Sequence, residues 1–339
     1  MNPNSNSKAS RSEDEVLLAK DLRKSYGPRE ALKGLSFSLK AGRILGFLGP
    51  NGAGKTTAIR ILTTILQPDS GHFIVNSISS ENPVELRRKI GVLPESLGFH
   101  KQMTGLECLV FFGRLYGRSA AQARATGLKL LEEVGLDLRS KSLSGSYSRG
   151  MRQRLGIART LVNDPAVLFL DEPTLGLDPR GQQELLELIE RIARERNVGV
   201  ILCSHDLPEV ESVCDDVLIM NLGQVVASGT VSEVIGRTRR GAAQGSGMRI
   251  NIPLSSIAEA RQVLESAPSV MRVTHRSEDA GWLRVEFAEA VAVDSAEDLY
   301  LNNRVLETLI RAEIPILGFE AERSRLQDVF LHLTEETIA

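Results

Sequence analysis

The sequence predicts an α/β fold with an inserted helical subdomain, followed by a small C-terminal α+β domain of ferredoxin-like order. Three observations carry that expectation. Residues 44–48 (ILGFL) form an unbroken apolar run that feeds a glycine-rich turn and then a helical pattern. Short apolar runs return at 167–170 and 199–203, each flanked by helical periodicity, the alternation of a covered parallel sheet. Beyond a Gly-, Ala-, Ser- and Arg-rich stretch at 236–247, the periods run strand, helix, strand, strand, helix, strand.

The length of 339 residues suits about two domains at roughly 150 residues each. Hydrophobic residues make up 42% and charged residues 25%, ordinary globular composition. Lys and Arg total 41 against 43 Asp and Glu, a formal net charge of −2. That balance argues against a nucleic-acid backbone as main partner, which calls for a basic excess. No run approaches the roughly 18 apolar residues of a membrane span. Residues 1–14 are rich in Ser and Asn, lack an apolar segment, and read as a disordered leader rather than a secretory signal. Cys108, Cys203 and Cys214 are scattered, so they read as reduced thiols.

In chain order, 16–19 and 35–39 read as strands, 43–48 as a buried strand, and 55–66 as a helix closed by Pro68, Asp69 and Gly71. A helical pattern opens at about 97. The expected domains are an α/β core over 15–235 with its helical subdomain at about 97–160, a linker over 236–247, and the ferredoxin-like domain over 248–339. Arg237, Arg239 and Arg240 suit either a solvated linker or contact with an anionic surface. The last domain is expected as strand 249–254, helix 257–264, strands 270–274 and 282–287, helix 299–310, strand 316–321 and a final helix 326–333.

The chemistry is concentrated in two motifs. Gly49, Pro50, Asn51, Gly52, Ala53, Gly54, Lys55 and Thr56, with Thr57 next, fit G-x-x-x-x-G-K-[ST]. Glycines let the backbone curl so that N–H groups point at phosphate oxygens, and the following helix presents its positive end to the same anion. Lys55 adds a point charge, and the Thr56 hydroxyl suits Mg²⁺, which prefers oxygen donors. The strand at 167–170 then delivers Asp171 and Glu172 to its C-terminal end, where open α/β sheets bind ligands. Asp171 is the expected Mg²⁺ ligand and Glu172 the expected general base for an attacking water. Read alone, the acidic pair would be a helix cap; the phosphate loop upstream reverses that.

Between these motifs lies Tyr147-Ser-Arg-Gly-Met-Arg-Gln-Arg154; after them come Pro173-Thr-Leu-Gly-Leu-Asp178 and Ser204-His-Asp206. Over roughly 16–229 this order resembles the nucleotide-binding subunit of ABC transporters, and the expected fold becomes a P-loop NTPase, ABC-ATPase head. The resemblance implies ATP and Mg²⁺ as cofactors. It implies that Tyr26 stacks on adenine, that Ser148 and Gly150 touch the γ-phosphate bound by a second copy, that Asp178 lies at the dimer seam, and that His205 bonds the γ-phosphate. Partners implied are a second copy of the chain and a separate multispan membrane permease, with the chain peripheral on the cytoplasmic face and no nucleic acid bound.

Two departures stand out. The family signature LSGGQ is YSRGM here, so Arg149 replaces the first glycine and Met151 the glutamine. Leu143-Ser-Gly-Ser146 is a competing match, but the 23 positions from Ser148 to Asp171 suit the family and the other frame does not. Glu95 stands where the family usually has a glutamine that contacts Mg²⁺ and the attacking water; its carboxylate would bind the metal yet repel the γ-phosphate. The Val92-Leu-Pro-Glu95 segment and the ending 324–334 are similar to type-2 exporter members. Hence an export ATPase is expected, with a soluble ABC-type ATPase acting on DNA or ribosomes as the alternative. The C-terminal domain is expected to act as a dimer brace or a regulator.

Overall fold

A computed structural model of the protein describes residues 14–241, 247–275, 281–287, 296–322 and 326–335. The expected leader lies outside the described residues apart from Asp14, as do residues 242–246 of the expected linker. The chain divides into two units, Met1–Thr230 and Val231–Ala339.

The first unit opens with β1 (Glu15–Tyr26) and β2 (Arg29–Lys40), an antiparallel pair longer than the sequence suggests, then β3 (Ile44–Leu48) and α1 (Lys55–Leu62). It continues with β4 (Ser70–Val75), β5 (Ile78–Ser79), α2 (Pro83–Leu86) and β6 (Ile90–Leu93). The helical insertion follows: α3 (Gly105–Leu115), α4 (Ala120–Glu133) and α5 (Arg149–Leu161). β7 (Val167–Asp171), α6 (Pro179–Arg196), β8 (Gly199–Cys203), α7 (Leu207–Val213), β9 (Asp216–Asn221) and β10 (Gln224–Thr230) complete it.

These strands form two sheets. One is antiparallel, ordered β2-β1-β4-β5; the other has six strands, ordered β10-β9-β3-β8-β7-β6. In the second, β9, β3, β8, β7 and β6 pair in parallel and β10 is an antiparallel edge. Every residue of β3 and β8 is buried, as a parallel strand covered on both faces requires. Phe47, Phe169, Ile201, Ile61 and Phe73 share one core cluster. Each such side chain contributes about 1.5–3 kcal/mol through burial.

α1 ends at Leu62, four residues short of the expected end. Thr64 enters the left-handed region at φ 61°, and the Ile65 and Thr64 N–H groups bond the carbonyls of Arg60 and Ile61 at 2.8 and 2.9 Å. That is a Schellman closure built on a threonine rather than the usual glycine, so no glycine signal marked it. In the insertion, α3 and α4 begin with capping boxes, Thr104 with Glu107 and Ser119 with Gln122.

The second unit contains α8 (Val231–Gly241), β11 (Gly247–Asn251), α9 (Ile257–Glu265), β12 (Val270–His275), β13 (Trp282–Phe287), α10 (Ala296–Arg311), β14 (Gly318–Glu322) and α11 (Leu326–Glu335). Its sheet is antiparallel in the order β12-β13-β11-β14, the ferredoxin-like arrangement. Ile250, Leu264, Val273, Leu283, Val285 and Leu309 fill the core.

Part of the expected linker is helical. Residues 236–241 continue helix α8, which lies beside α11, and Gly247 already belongs to β11. Val234 and Ile235, just ahead of the arginines, are buried and anchor the helix. A glycine and a run of like charges hid a helix whose order comes from packing rather than propensity.

Candidate functional site

The parallel pairing of β3, β8, β7 and β6 makes their C-terminal ends emerge on one edge of the sheet. The phosphate loop leaves β3, Ser204 and His205 leave β8, Asp171 and Glu172 end β7, and Pro94 and Glu95 follow β6. Residues far apart in sequence therefore meet because their strands are neighbours.

The loop's glycines are demanded by its geometry. Gly49 and Gly54 sit at φ 152° and 108°, and a Cβ on them would come within 2.4 Å of the Met220 carbonyl oxygen and 2.5 Å of the Ala31 carbonyl oxygen. The loop thus packs backbone against backbone at both positions, which only glycine permits. Gly54 caps α1 with no side-chain bond, and no acidic residue lies in the first turn, so that helix end keeps its positive potential. The Lys55 ammonium donates to the carbonyls of Gly49 and Pro50, and burial pushes its pKa down, partly offset by the charges of Glu172 and Asp171. Tyr26 is half-exposed at the β1–β2 turn. That turn borders the loop: a Cβ on Gly52 would lie 3.2 Å from Arg29. No motif in the sequence singles out Arg29.

At the end of β7, burial raises the Asp171 pKa, and the Glu95 charge raises it further while Lys55 opposes both. Burial likewise raises the Glu172 pKa, opposed by a bond from His205, whose Nδ1 lies 2.8 Å from Glu172 Oε2. Glu172 adopts φ 48°, a left-handed conformation uncommon for a residue with a Cβ. Its N–H donates to the Cys203 carbonyl at 2.9 Å, tying the loop after β7 to the end of β8. Strain of this kind persists where surroundings over-determine it, commonly at reacting residues.

The oxygen donors of Thr56, Asp171 and Glu95 suit a hard divalent cation. Among the described residues, no group of three or more His, Cys, Asp or Glu side chains forms a metal cage. An ion held here would complete its shell with water or phosphate oxygens, the usual manner for Mg²⁺.

A second cluster lies elsewhere in the unit. Ser148, Gly150 and Asp178 line a cleft of about 410 Å³ together with Arg149, Met151 and Gly176. Ser148 caps α5 and accepts from the Met151 N–H at 3.2 Å; Asp178 caps α6 and accepts from the Gly181 N–H at 3.2 Å. Geometry also separates the two signature frames. Ser144 is buried and its hydroxyl donates to the His100 carbonyl at 2.9 Å, whereas Ser148 is exposed at a helix tip. Among the described residues, no hydrogen bond or ion pair joins Ser148, Gly150 or Asp178 to Lys55, Asp171, Glu172 or His205.

A carboxylate that sequence reasoning passed over lies beneath the first cluster. Glu209 Oε2 accepts from Thr174 Oγ1 at 2.8 Å and Ser204 Oγ at 3.1 Å. In the sequence, Asp206-Leu-Pro-Glu209 looks like a helix start with its capping pair, which disguises the longer reach of the glutamate.

The ABC transporter family profile matches residues 32–175. The chain is 32% identical over 325 residues to the linearmycin resistance ATP-binding protein LnrL of Bacillus subtilis (strain 168), covering 95% of this chain and 99% of that protein. It is 34% identical over 314 residues to the daunorubicin/doxorubicin resistance ATP-binding protein DrrA of Streptomyces peucetius, covering 92% and 90%. The structure of cbiO1 from Clostridium perfringens, part of the ABC transporter complex cbiONQ, superposes with a TM-score of 0.61 at 29% identity, covering 68% of this chain and 96% of that one.

Proposed function

The chain belongs to the ATP-binding subunits of ABC transporters and is an ATP hydrolase of that family, and from that premise we propose that two copies power an exporter through a separate membrane permease. The observation that carries this reading is the separation of two clusters. Lys55, Asp171, Glu172 and His205 gather at one sheet edge, while Ser148, Gly150 and Asp178 line another cleft, unbonded to the first. Head-to-tail pairing would bring the serine-bearing tip of one copy onto the phosphates held by its twin.

In this reading the backbone of residues 49–54 and the start of α1 bind the triphosphate, and the Lys55 ammonium turns from the loop carbonyls to the phosphate oxygens. Tyr26 stacks on the base. Thr56, Asp171 and Glu95 would hold Mg²⁺, which neutralises charge on the phosphates. Glu172 Oε2 takes the proton of the attacking water, and His205 fixes that carboxylate in place. The helix tip at Ser148 faces the γ-phosphate with its free N–H groups, a natural match for an anion.

The names of the relatives, resistance to linearmycin and to daunorubicin and doxorubicin, support drug or antibiotic export. No helix among the described residues is long and apolar enough to cross a membrane. The permease supplies the path, and this chain sits on it at the cytoplasmic face.

Two substitutions test the assignment. Lys55→Ala is expected to weaken ATP binding by at least about tenfold in a calorimetric titration; unchanged affinity removes the loop from phosphate binding. Glu172→Gln is expected to bind ATP normally yet lose at least about a hundredfold in steady-state hydrolysis, the scale of a lost general base; near-normal turnover removes Glu172 from that role.

A further inference from the structure

We propose that Glu209 is a positioning residue for hydrolysis, its buried carboxylate binding the loop after Glu172 and the loop that carries His205 into one rigid unit. The inference rests on Glu172 being the base and His205 its partner.

The chain runs through β7 into Glu172, Pro173 and Thr174, and through β8 into Ser204, His205 and Asp206. Glu172 and His205 therefore sit on two different loops, yet their side chains meet at 2.8 Å. Loops relax independently unless something joins them. One joint is the Glu172 N–H to Cys203 carbonyl bond. The other is Glu209, on the first turn of α7, with one oxygen accepting from Thr174 at 2.8 Å and from Ser204 at 3.1 Å. Thr174 and Ser204 are 2% and 3% exposed and Glu209 8%, so the bridge is shielded from water. The Ser204 hydroxyl also accepts from the Asp206 N–H at 3.0 Å, and Asp206 accepts from the Glu209 N–H at 3.3 Å, closing a ring around the His205 backbone.

The other oxygen, Oε1, is buried with no hydrogen-bond partner among the described residues. A glutamine could hold the same two hydroxyls without bringing a carboxylate into a dry site, so bridging alone does not call for a glutamate. The bridge is therefore expected to survive in a glutamine and to be lost in an alanine.

The test uses the full chain with saturating Mg-ATP. Glu209→Ala leaves two buried hydroxyls without their acceptor, and kcat is expected to fall at least about tenfold while KM for ATP stays within about threefold, because the phosphate loop is untouched. Glu209→Gln keeps an acceptor and is expected to restore most of kcat. Unchanged kcat in Glu209→Ala overturns the proposal. So does a Glu209→Gln chain that folds and binds ATP normally yet loses kcat about tenfold or more, an outcome that decides the matter even where Glu209→Ala does not fold. Glu172→Gln is measured alongside. If it retains turnover, the base assignment has failed; if it is dead while both Glu209 variants behave as native, the positioning role alone has failed.

Discussion

Glu172 concentrates several constraints in one residue. It carries a left-handed backbone, a half-buried carboxylate, a bond from His205 and a backbone bond to the next strand. Burial raises its pKa above the ordinary glutamate value of about 4.3, so its proton-accepting form is lost on acidification sooner than a free glutamate's. His205 opposes that rise. His205→Ala is therefore expected to raise the Glu172 pKa and move the acid limb of the pH–rate profile to higher pH, with kcat reduced by about tenfold or more. An acid limb that does not respond to His205→Ala would show that some other group limits the rate at low pH. Burial pushes the Cys203 thiol up as well, consistent with a buried, inert cysteine beside the site.

Helices and loops then carry these residues to their places. At the start of α5, the Arg149 guanidinium lies against Gly176, in the loop leading to Asp178: a Cβ at Gly176 would be 2.5 Å from the Arg149 Cζ. Gly176 also has φ +70°, where an alanine costs about 1 kcal/mol on its own. Gly176→Ala is expected to lower both melting temperature and turnover, and Arg149→Gly, which substitutes the family's own residue, is expected to recover part of that loss in the double variant. Purely additive effects in the four-way comparison would mean that arginine and loop do not communicate. Most of this architecture was legible from periodicity and spacing. The apolar runs at 44–48, 167–170 and 199–203 are strands of the central sheet, and the last domain was readable where its strands alternate, most cleanly in β13. Where reading failed, a tertiary contact outweighed local composition. Helix α8 is held by Val234 and Ile235 despite its arginines and glycine, and the end of α1 turns on Thr64. The reach of Glu209 across two loops could not be seen, because in one dimension it is indistinguishable from a capping residue.

At the scale of the whole molecule, the first unit holds two chemically complementary clusters with no hydrogen bond or ion pair between them among the described residues. One is a cationic, glycine-lined cradle beside an acid–base pair; the other is a helix tip bearing a serine and an unexpected arginine. The second unit has its own sheet and core and supplies none of these residues. Completing a site by pairing two copies head to tail accounts for both clusters, and mixing two crippled chains tests it most directly. Lys55→Ala disables the cradle and Ser148→Glu the helix tip, so each variant alone should be nearly inactive. In a mixed dimer, the sound cradle of one chain faces the sound tip of the other. Hydrolysis measured on the mixture is predicted to rise well above that of either variant alone; a mixture no more active than its separate components would contradict the shared site.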